Sequence, residues 1–397
     1  MPALDGIRIL DMTQWEAGTS CTQALAWLGA DVVKVEPPGR GDPGRGFMGG
    51  EHDSEYFLNW NANKRSLVLD LLQPEGRELL LRLVPHYDVF IENYGPGVIE
   101  KLELGYEVMR ERHPGLIYAR VKGFGTWGPY ADYKCMDMVA QAASGAMSVT
   151  GNEDEPPQRP GPTMGDSGTG VQAALAILAA WVQRERTGLG QLVEISMQEA
   201  MTYYMRTMVA NGSNFGTEVS PRKGHGFGAT MNLYACRPGG PNDYIYVMVV
   251  NTRMWQRLAS AIGRDDLIDD ARFASGRGRH KNADALYAEI AKWTAERSKQ
   301  EAMARIAGAG VPCSAVLDTR DLFSDPHLQA RDFVKTVEHR SRGPVRLLGN
   351  PLRLSASEVP LRGAPLLGEH TREVLGADLA LSSADLAGLA ERGVIGG

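Results

Sequence analysis

The chain has 397 residues, 43% of them hydrophobic and 23% charged, with 42 basic against 48 acidic side chains and a net charge of −6. That length accommodates one large domain and a smaller one, and the acidic balance argues against a nucleic-acid partner, because no basic surplus exists to neutralise a phosphate backbone. No apolar run approaches the roughly 20 residues of a membrane span. Met1 to Gly6 shows no charged leader running into an apolar segment, and Cys21, Cys135, Cys236 and Cys313 form no CxxC pair. The expected compartment is therefore the reducing cytoplasm.

In chain order, Ile7 to Met12 reads as a buried strand, Thr19 to Leu28 as a helix and Asp31 to Val35 as a second strand. Pro74 opens a helix at its first turn, where a missing N–H costs little. Asp88 to Glu92 and Leu116 to Val121 resume the strand pattern. This alternation predicts an α/β fold, a parallel sheet covered by helices. Ligands of such sheets bind at the carboxyl ends of the strands. Those ends carry Thr13 to Gly18, Glu36 to Gly39, Asn93 to Gly97 and Lys122 to Gly125.

A long apolar helix follows from Gly170 to Arg186, closed by Thr187-Gly188, and then a strand from Leu192 to Ser196. The Gly/Pro/Ser/Asn-rich stretch from Asn211 to Gly228 marks a boundary. Beyond it come a strand at Tyr244 to Val250, amphipathic helices to about Ala309 and a strand at Cys313 to Leu317. From about Asp325 the tail has short strands, Gly368-Glu369-His370-Thr371 and a terminal helix. The expected organisation is a large Rossmann-like domain over 1–210, a smaller α+β domain with its linkers over 211–324, and a return to the large domain over 325–397.

The eight histidines are scattered, with no HxH, HExxH or Cys/His cluster, so no metal is expected. The first strand–helix turn lacks the G-x-G-x-x-G that admits a pyrophosphate to the backbone. A GxSxG elbow is absent as well. The most informative segment is Pro160-Gly161-Pro162-Thr163-Met164-Gly165-Asp166-Ser167-Gly168-Thr169-Gly170. The residues alone leave two readings of Asp166. As an N-cap it satisfies an orphan N–H of the following helix. As a nucleophile it is a carboxylate kept ionised at a helix N-terminus, with glycines leaving room for a bulky ligand to approach.

This segment resembles the nucleophile motif of the family III CoA-transferases (the CaiB/BaiF type, which includes formyl-CoA:oxalate CoA-transferases). Similarity runs from Leu4 to about Leu375. It is carried also by Leu4 to Asp11, Leu28 to Glu36, Asn63-Lys64-Arg65-Ser66, Glu92 to Gly97 and Ala364 to Thr371. The resemblance implies Asp166 as nucleophile, an acyl-CoA donor and a carboxylic-acid acceptor, no cofactor beyond the substrate CoA, and an interlocked homodimer. Position by position it assigns CoA contacts to Ala17, Leu69, Asn93, Tyr94, Gly95, Lys101, Lys134 and Asp137, where the lysines offer charge to phosphates. Backbone N–H groups from Gly226 to Ala229 are expected to stabilise oxyanions, with Gly226 and Gly228 in a glycine-rich lid.

The chain departs from the formyl-CoA:oxalate pattern at several positions. Glu16 stands where those enzymes carry glutamine after the first strand, and an acid there disfavours a dianionic acceptor unless it is protonated or points away. Met136, Pro37 and Phe47 replace a tyrosine, a basic residue and a tryptophan, and Lys223 to Gly228 replaces the glycine-run lid. In the α-methylacyl-CoA racemases of the same superfamily a catalytic histidine falls where this chain has Met136, whose thioether cannot shuttle a proton. The expected activity is CoA transfer between small carboxylic acids through an aspartyl anhydride and an aspartyl-CoA thioester. The alternatives are a racemase on the same scaffold and a non-catalytic CoA-binding protein.

Overall fold

The structure, a computed structural model, describes residues 1–49 and 53–396. These residues fall into two compact units, the first made of 1–147, 159–219 and 332–397 and the second of 148–158 and 220–331. The sequence reading set its small domain at 211–324.

In the first unit, strands β1 (Arg8–Met12), β2 (Asp31–Glu36), β3 (Arg65–Leu69), β4 (Val89–Glu92), β5 (Ile117–Lys122) and β6 (Leu192–Ser196) form a parallel sheet in the order β3-β2-β1-β4-β5-β6. A short terminal strand, Ile395–Gly396, pairs antiparallel with β3 at the edge. Successive side chains of a strand face opposite sides, so Leu10, Met12, Val33 and Val35 enter one core while Ile9 and Val32 enter the other. The first core is covered by α3 and the C-terminal helices Thr371–Leu379 and Ser383–Glu391. The second is covered by α1 and α7. The helices of this unit, in chain order, are α1 (Ala17–Ala26), α2 (Glu55–Trp60), α3 (Pro74–Leu83), α4 (Val98–Lys101), α5 (Tyr106–Arg112), α6 (Asp137–Ala143), α7 (Thr169–Thr187) and α8 (Met197–Tyr203).

α1 and α7 cross at a glycine. A Cβ on Gly170 would lie 2.0 Å from Ser20 Oγ and 2.7 Å from the Ala17 carbonyl oxygen, so only glycine permits this approach. α7 ends at Gly188, whose φ of 71° suits the left-handed C-terminal position.

The second unit holds a three-stranded antiparallel sheet of Met231–Ala235, Tyr244–Met248 and Cys313–Ala315, packed with helices around Trp255, Phe273 and Tyr234. Strand β3 and the strand Met231–Ala235 were not expected. In β3 the charged Arg65 and polar Ser66 interrupt the apolar run. Met231–Ala235 has an asparagine at its second position and follows a glycine-rich segment, so neither shows clean alternation.

The N-cap reading of Asp166 does not hold. α7 begins at Thr169, after Gly168 and without a side-chain cap. Asp166 sits just upstream, inside a wide π-type turn, Met164–Gly168. Turns of this kind widen the backbone and redirect a side chain, often at functional positions.

Candidate active site

The strand order 3-2-1-4-5-6 reverses direction between β1 and β4, and in open parallel sheets the crevice at that reversal is the ligand site. Here the crevice is spanned by one side chain. Asn93, following β4, accepts from the Gln14 N–H at 2.8 Å and donates from Nδ2 to the Gln14 carbonyl at 2.8 Å. Its amide thus works as a backbone-like bridge across the reversal.

The whole turn from Thr13 to Glu16 is pinned in the same manner. The Thr13 N–H and hydroxyl donate to Asp11 Oδ1 at 2.9 and 2.5 Å, and the Thr13 carbonyl accepts from Lys34 Nζ at 2.7 Å. The Trp15 N–H donates to Asp42 Oδ1 at 3.1 Å, and Asp42 itself is ion-paired with Lys34 at 2.7 Å. Lys64 reaches Asp11 at 3.0 Å. All of these charges are buried, and such groups persist only when paired and hydrogen-bonded. Lys34 and Lys64, with the Thr13 and Thr22 hydroxyls, hold Asp11 down at about 2 against its desolvation, while burial pulls Lys64 down to about 8. The product is a rigid turn in which Trp15 takes a left-handed φ of 60°, strained for a bulky residue.

Glu16 ends this turn. Its Oε1 accepts from the Thr163 hydroxyl at 2.5 Å and its Oε2 from the Tyr56 hydroxyl at 3.5 Å. Asp166 arrives from the other side on its wide turn. That turn is held by Asp137, whose Oδ1 accepts from the Gly165 N–H at 2.8 Å and the Asp166 N–H at 3.3 Å. Gln141 donates to the other Asp137 oxygen at 2.7 Å. Gly165 is required for this contact, because a Cβ there would lie 2.6 Å from the Asp137 carbonyl oxygen.

Both acids are nearly enclosed, Glu16 being 2% and Asp166 8% exposed, and among the described residues no cation is a leading influence on either. Burial first, then the Glu16 and Asp137 charges, pushes Asp166 from its ordinary 3.8 up to about 8. Burial also lifts Glu16 to about 7, with Asp137 adding to the rise and the Thr163, Ser167 and Tyr56 hydroxyls opposing it. The expectation that a helix N-terminus keeps Asp166 ionised is therefore corrected. The helix starts three residues later, and desolvation outweighs its dipole.

Asp166 opens into a cleft of about 410 Å3 lined also by Ala17, Asn93, Tyr94, Gly95, Lys134 and Met136. An adjoining cleft of about 490 Å3, sharing Gln14, Tyr94 and Val98 with the first, contains Leu69. The remaining expected residues lie elsewhere. Asp137 is turned to the Asp166 backbone rather than lining a cleft, and Lys101 is exposed at the end of α4, outside both clefts. Gly226 and Gly228 belong to the second unit. There the Gly226 N–H donates to the Lys223 carbonyl at 3.1 Å and the Phe227 N–H to the Met231 carbonyl at 2.7 Å. Those two donors are taken up inside their own turn.

Residues not anticipated are Thr163 and Tyr56, which hold Glu16, and Trp15, which lines the first cleft. Thr163 lies three positions before Asp166 but carries no distinguishing signal. Tyr56 lies in a segment with no recognisable pattern.

The family model for CoA-transferase family III matches residues 4–371. The chain is 42% identical to a formyl-CoA:oxalate CoA-transferase of Streptomyces avermitilis, with 99% of each chain covered. It is 39% identical to one of Rhodopseudomonas palustris, covering 99% of this chain and 97% of that one. Among solved structures, a CAIB/BAIF family protein from Brucella suis matches with a TM-score of 0.85 at 32% identity, over 95% of this chain and 99% of that one. The chain belongs to CoA-transferase family III and is a CoA-transferase enzyme.

Proposed function

We propose that the chain transfers CoA between carboxylic acids by covalent catalysis at Asp166. The observation that carries this is a nearly enclosed carboxyl on a glycine-relieved turn, opening into a cleft at the sheet reversal. Burial that raises its pKa also strips water from the ionised form, which sharpens its nucleophilicity. The Asp166 carboxylate attacks the acyl-CoA carbonyl carbon, the C–S bond breaks and CoA leaves as thiolate. The thiolate then attacks the Asp166 carbonyl carbon of the mixed anhydride, freeing the first acid as carboxylate and leaving an aspartyl-CoA thioester. The acceptor carboxylate repeats these steps in reverse order and regenerates Asp166. The cycle consumes no net proton or electron.

Neither Met136 nor Cys135 offers the base a racemase needs on the opposite face. Met136 is a thioether, and burial, with Asp166 nearby, pushes the Cys135 thiol up to about 11. We further propose a homodimer, interlocked as the family resemblance implies. The outward face of α7 presents Val171, Leu175 and Val182, each at least half exposed, and contiguous exposed apolar surface of this kind marks an interaction site. Four free thiols accord with a cytoplasmic setting.

The test is Asp166→Ala together with hydroxylamine trapping of the wild type during turnover. Loss of transfer in a folded protein, with a hydroxamate on the Asp166 peptide in wild type, is the expected result. Wild-type turnover in the alanine variant would exclude the nucleophile.

A further inference from the structure

We propose that the acceptor acid carries a single carboxylate and an uncharged apolar tail, which lies against the aromatic cluster of Trp15, Phe47 and Tyr56. This inference rests on the Asp166 reading above and names the substrate class of the same site.

The first observation is the absence of a counter-charge. The reacting carboxylate of an acceptor loses its charge when it becomes an acyl group, but a second carboxylate keeps its charge throughout. That second charge would enter a pocket walled by Glu16 and Asp166, on which no cation is a leading influence among the described residues. The cations lining the first cleft are Lys122 and Lys134, and Lys122 is already held by Glu92 at 2.7 Å. If the two acids are ionised they repel a dianion. If they are protonated, each offers one O–H donor but no positive charge, so the second carboxylate is taken out of water without a counter-charge from either acid, which is costly as well. In neither protonation state do the two acids supply the positive charge that a second carboxylate requires.

The second observation is the surface offered instead. Trp15 and Tyr56 meet with ring centroids 6.4 Å apart, Phe47 and Tyr56 at 5.0 Å, and Trp15 and Phe47 at 6.0 Å. None of the three is buried. The Tyr56 hydroxyl points at Glu16, and Trp15 shares the cleft lining with Asp166, so the cluster borders the reacting group. Trp15 keeps its ring there at the expense of a left-handed backbone, a strain that surrounding pins sustain and that is typical of functional positions.

The experiment follows acyl exchange from butyryl-CoA to competing acids, read by mass spectrometry of the CoA esters at initial rate. Phenylacetate and isovalerate should exceed succinate and oxalate in kcat/KM by about a hundredfold or more. Trp15→Gly suits the left-handed backbone and removes only the ring. It should lower kcat/KM for phenylacetate about tenfold more than for acetate. Oxalate or succinate used as well as phenylacetate overturns the proposal, and so does an equal effect of Trp15→Gly on acetate and phenylacetate. Transfer through a hydroxylamine-sensitive Asp166 adduct with a dicarboxylate preferred would sink this inference alone. No transfer to any acid and no adduct would sink the Asp166 mechanism with it.

Discussion

Asp166→Asn keeps the shape of the side chain and removes its charge, so its effect on stability should depend on pH in a defined direction. The folded carboxyl titrates near about 8 instead of 3.8. Between those values the folded chain holds a proton that the unfolded chain has lost, so stability falls as pH rises through this window. The full rise corresponds to a ceiling of about 6 kcal/mol at about 1.4 kcal/mol per pH unit. The cleft admits solvent and Glu16 shares the coupling, so about 2–3 kcal/mol is the expected cost of ionised Asp166 at pH 9. Asparagine escapes that cost. For a chain of this size the gain amounts to a Tm about 2–4 °C above wild type at pH 9, shrinking steadily toward pH 4. Calorimetric melts of both ligand-free proteins in overlapping buffers from pH 5 to 9 measure it. A Tm difference that is flat across pH, or that grows toward acid, would refute a buried, proton-holding Asp166.

The same titration should appear in catalysis: kcat/KM for a fixed acyl-CoA falls below about pH 8 as Asp166 takes up its proton, and Glu16→Gln, by removing a neighbouring charge, moves that limb to lower pH. A limb near pH 4 in wild type, or one unmoved in Glu16→Gln, counts against the pairing of these acids. Lys134→Ala should raise KM for acyl-CoA about tenfold with kcat nearly unchanged, as expected for a charge that binds ground and transition states alike; an unchanged KM removes Lys134 from the CoA site. Gly170→Ala places a Cβ 2.0 Å from Ser20 Oγ and should destabilise by about 1–3 kcal/mol or more, visible in the urea midpoint. An unchanged midpoint would show that α1 and α7 do not cross as tightly as described.

The strands were legible because parallel, doubly covered strands read as apolar runs, and β1, β2, β4, β5 and β6 all announce themselves in this way. The helix after Asp166 was legible for the same reason, with Gly188 closing it. The edges were not. β3 carries Arg65 and Ser66, whose side chains face ion pairs and hydrogen bonds instead of a core. The site was legible as a set of strand ends, and Ala17, Asn93, Tyr94, Gly95, Lys134 and Asp166 do converge on one cleft. What each does there was not legible, since it depends on which atoms a side chain meets. Asp137 serves the Asp166 backbone, and Asn93 uses its amide on Gln14. One missed feature did leave a signal. Asp11 inside Ile-Leu-Asp-Met and Lys34 inside Val-Val-Lys-Val are charges in otherwise buried strands, and such charges must find partners. They find them in the network that fixes the turn after β1.

That network explains how a sheet in dinucleotide-binding order comes to serve another chemistry. In nucleotide-binding sheets of this order, glycines in the first turn let a pyrophosphate reach the N-terminus of the first helix. Here the same turn holds a strained Trp15 and a buried Glu16 directly ahead of α1. The turn therefore presents side chains where dinucleotide-binding sheets present glycines, with Trp15 lining the cleft beside Asp166 and Glu16 enclosed. Asp166 opens into the cleft at the sheet reversal. The Asp11, Lys34, Lys64 and Asp42 charges then do the work that backbone–phosphate contacts do elsewhere, holding the turn rigid before any substrate arrives. A reacting carboxylate needs such preorganisation, because an anhydride that waits for its turn to settle is exposed to water.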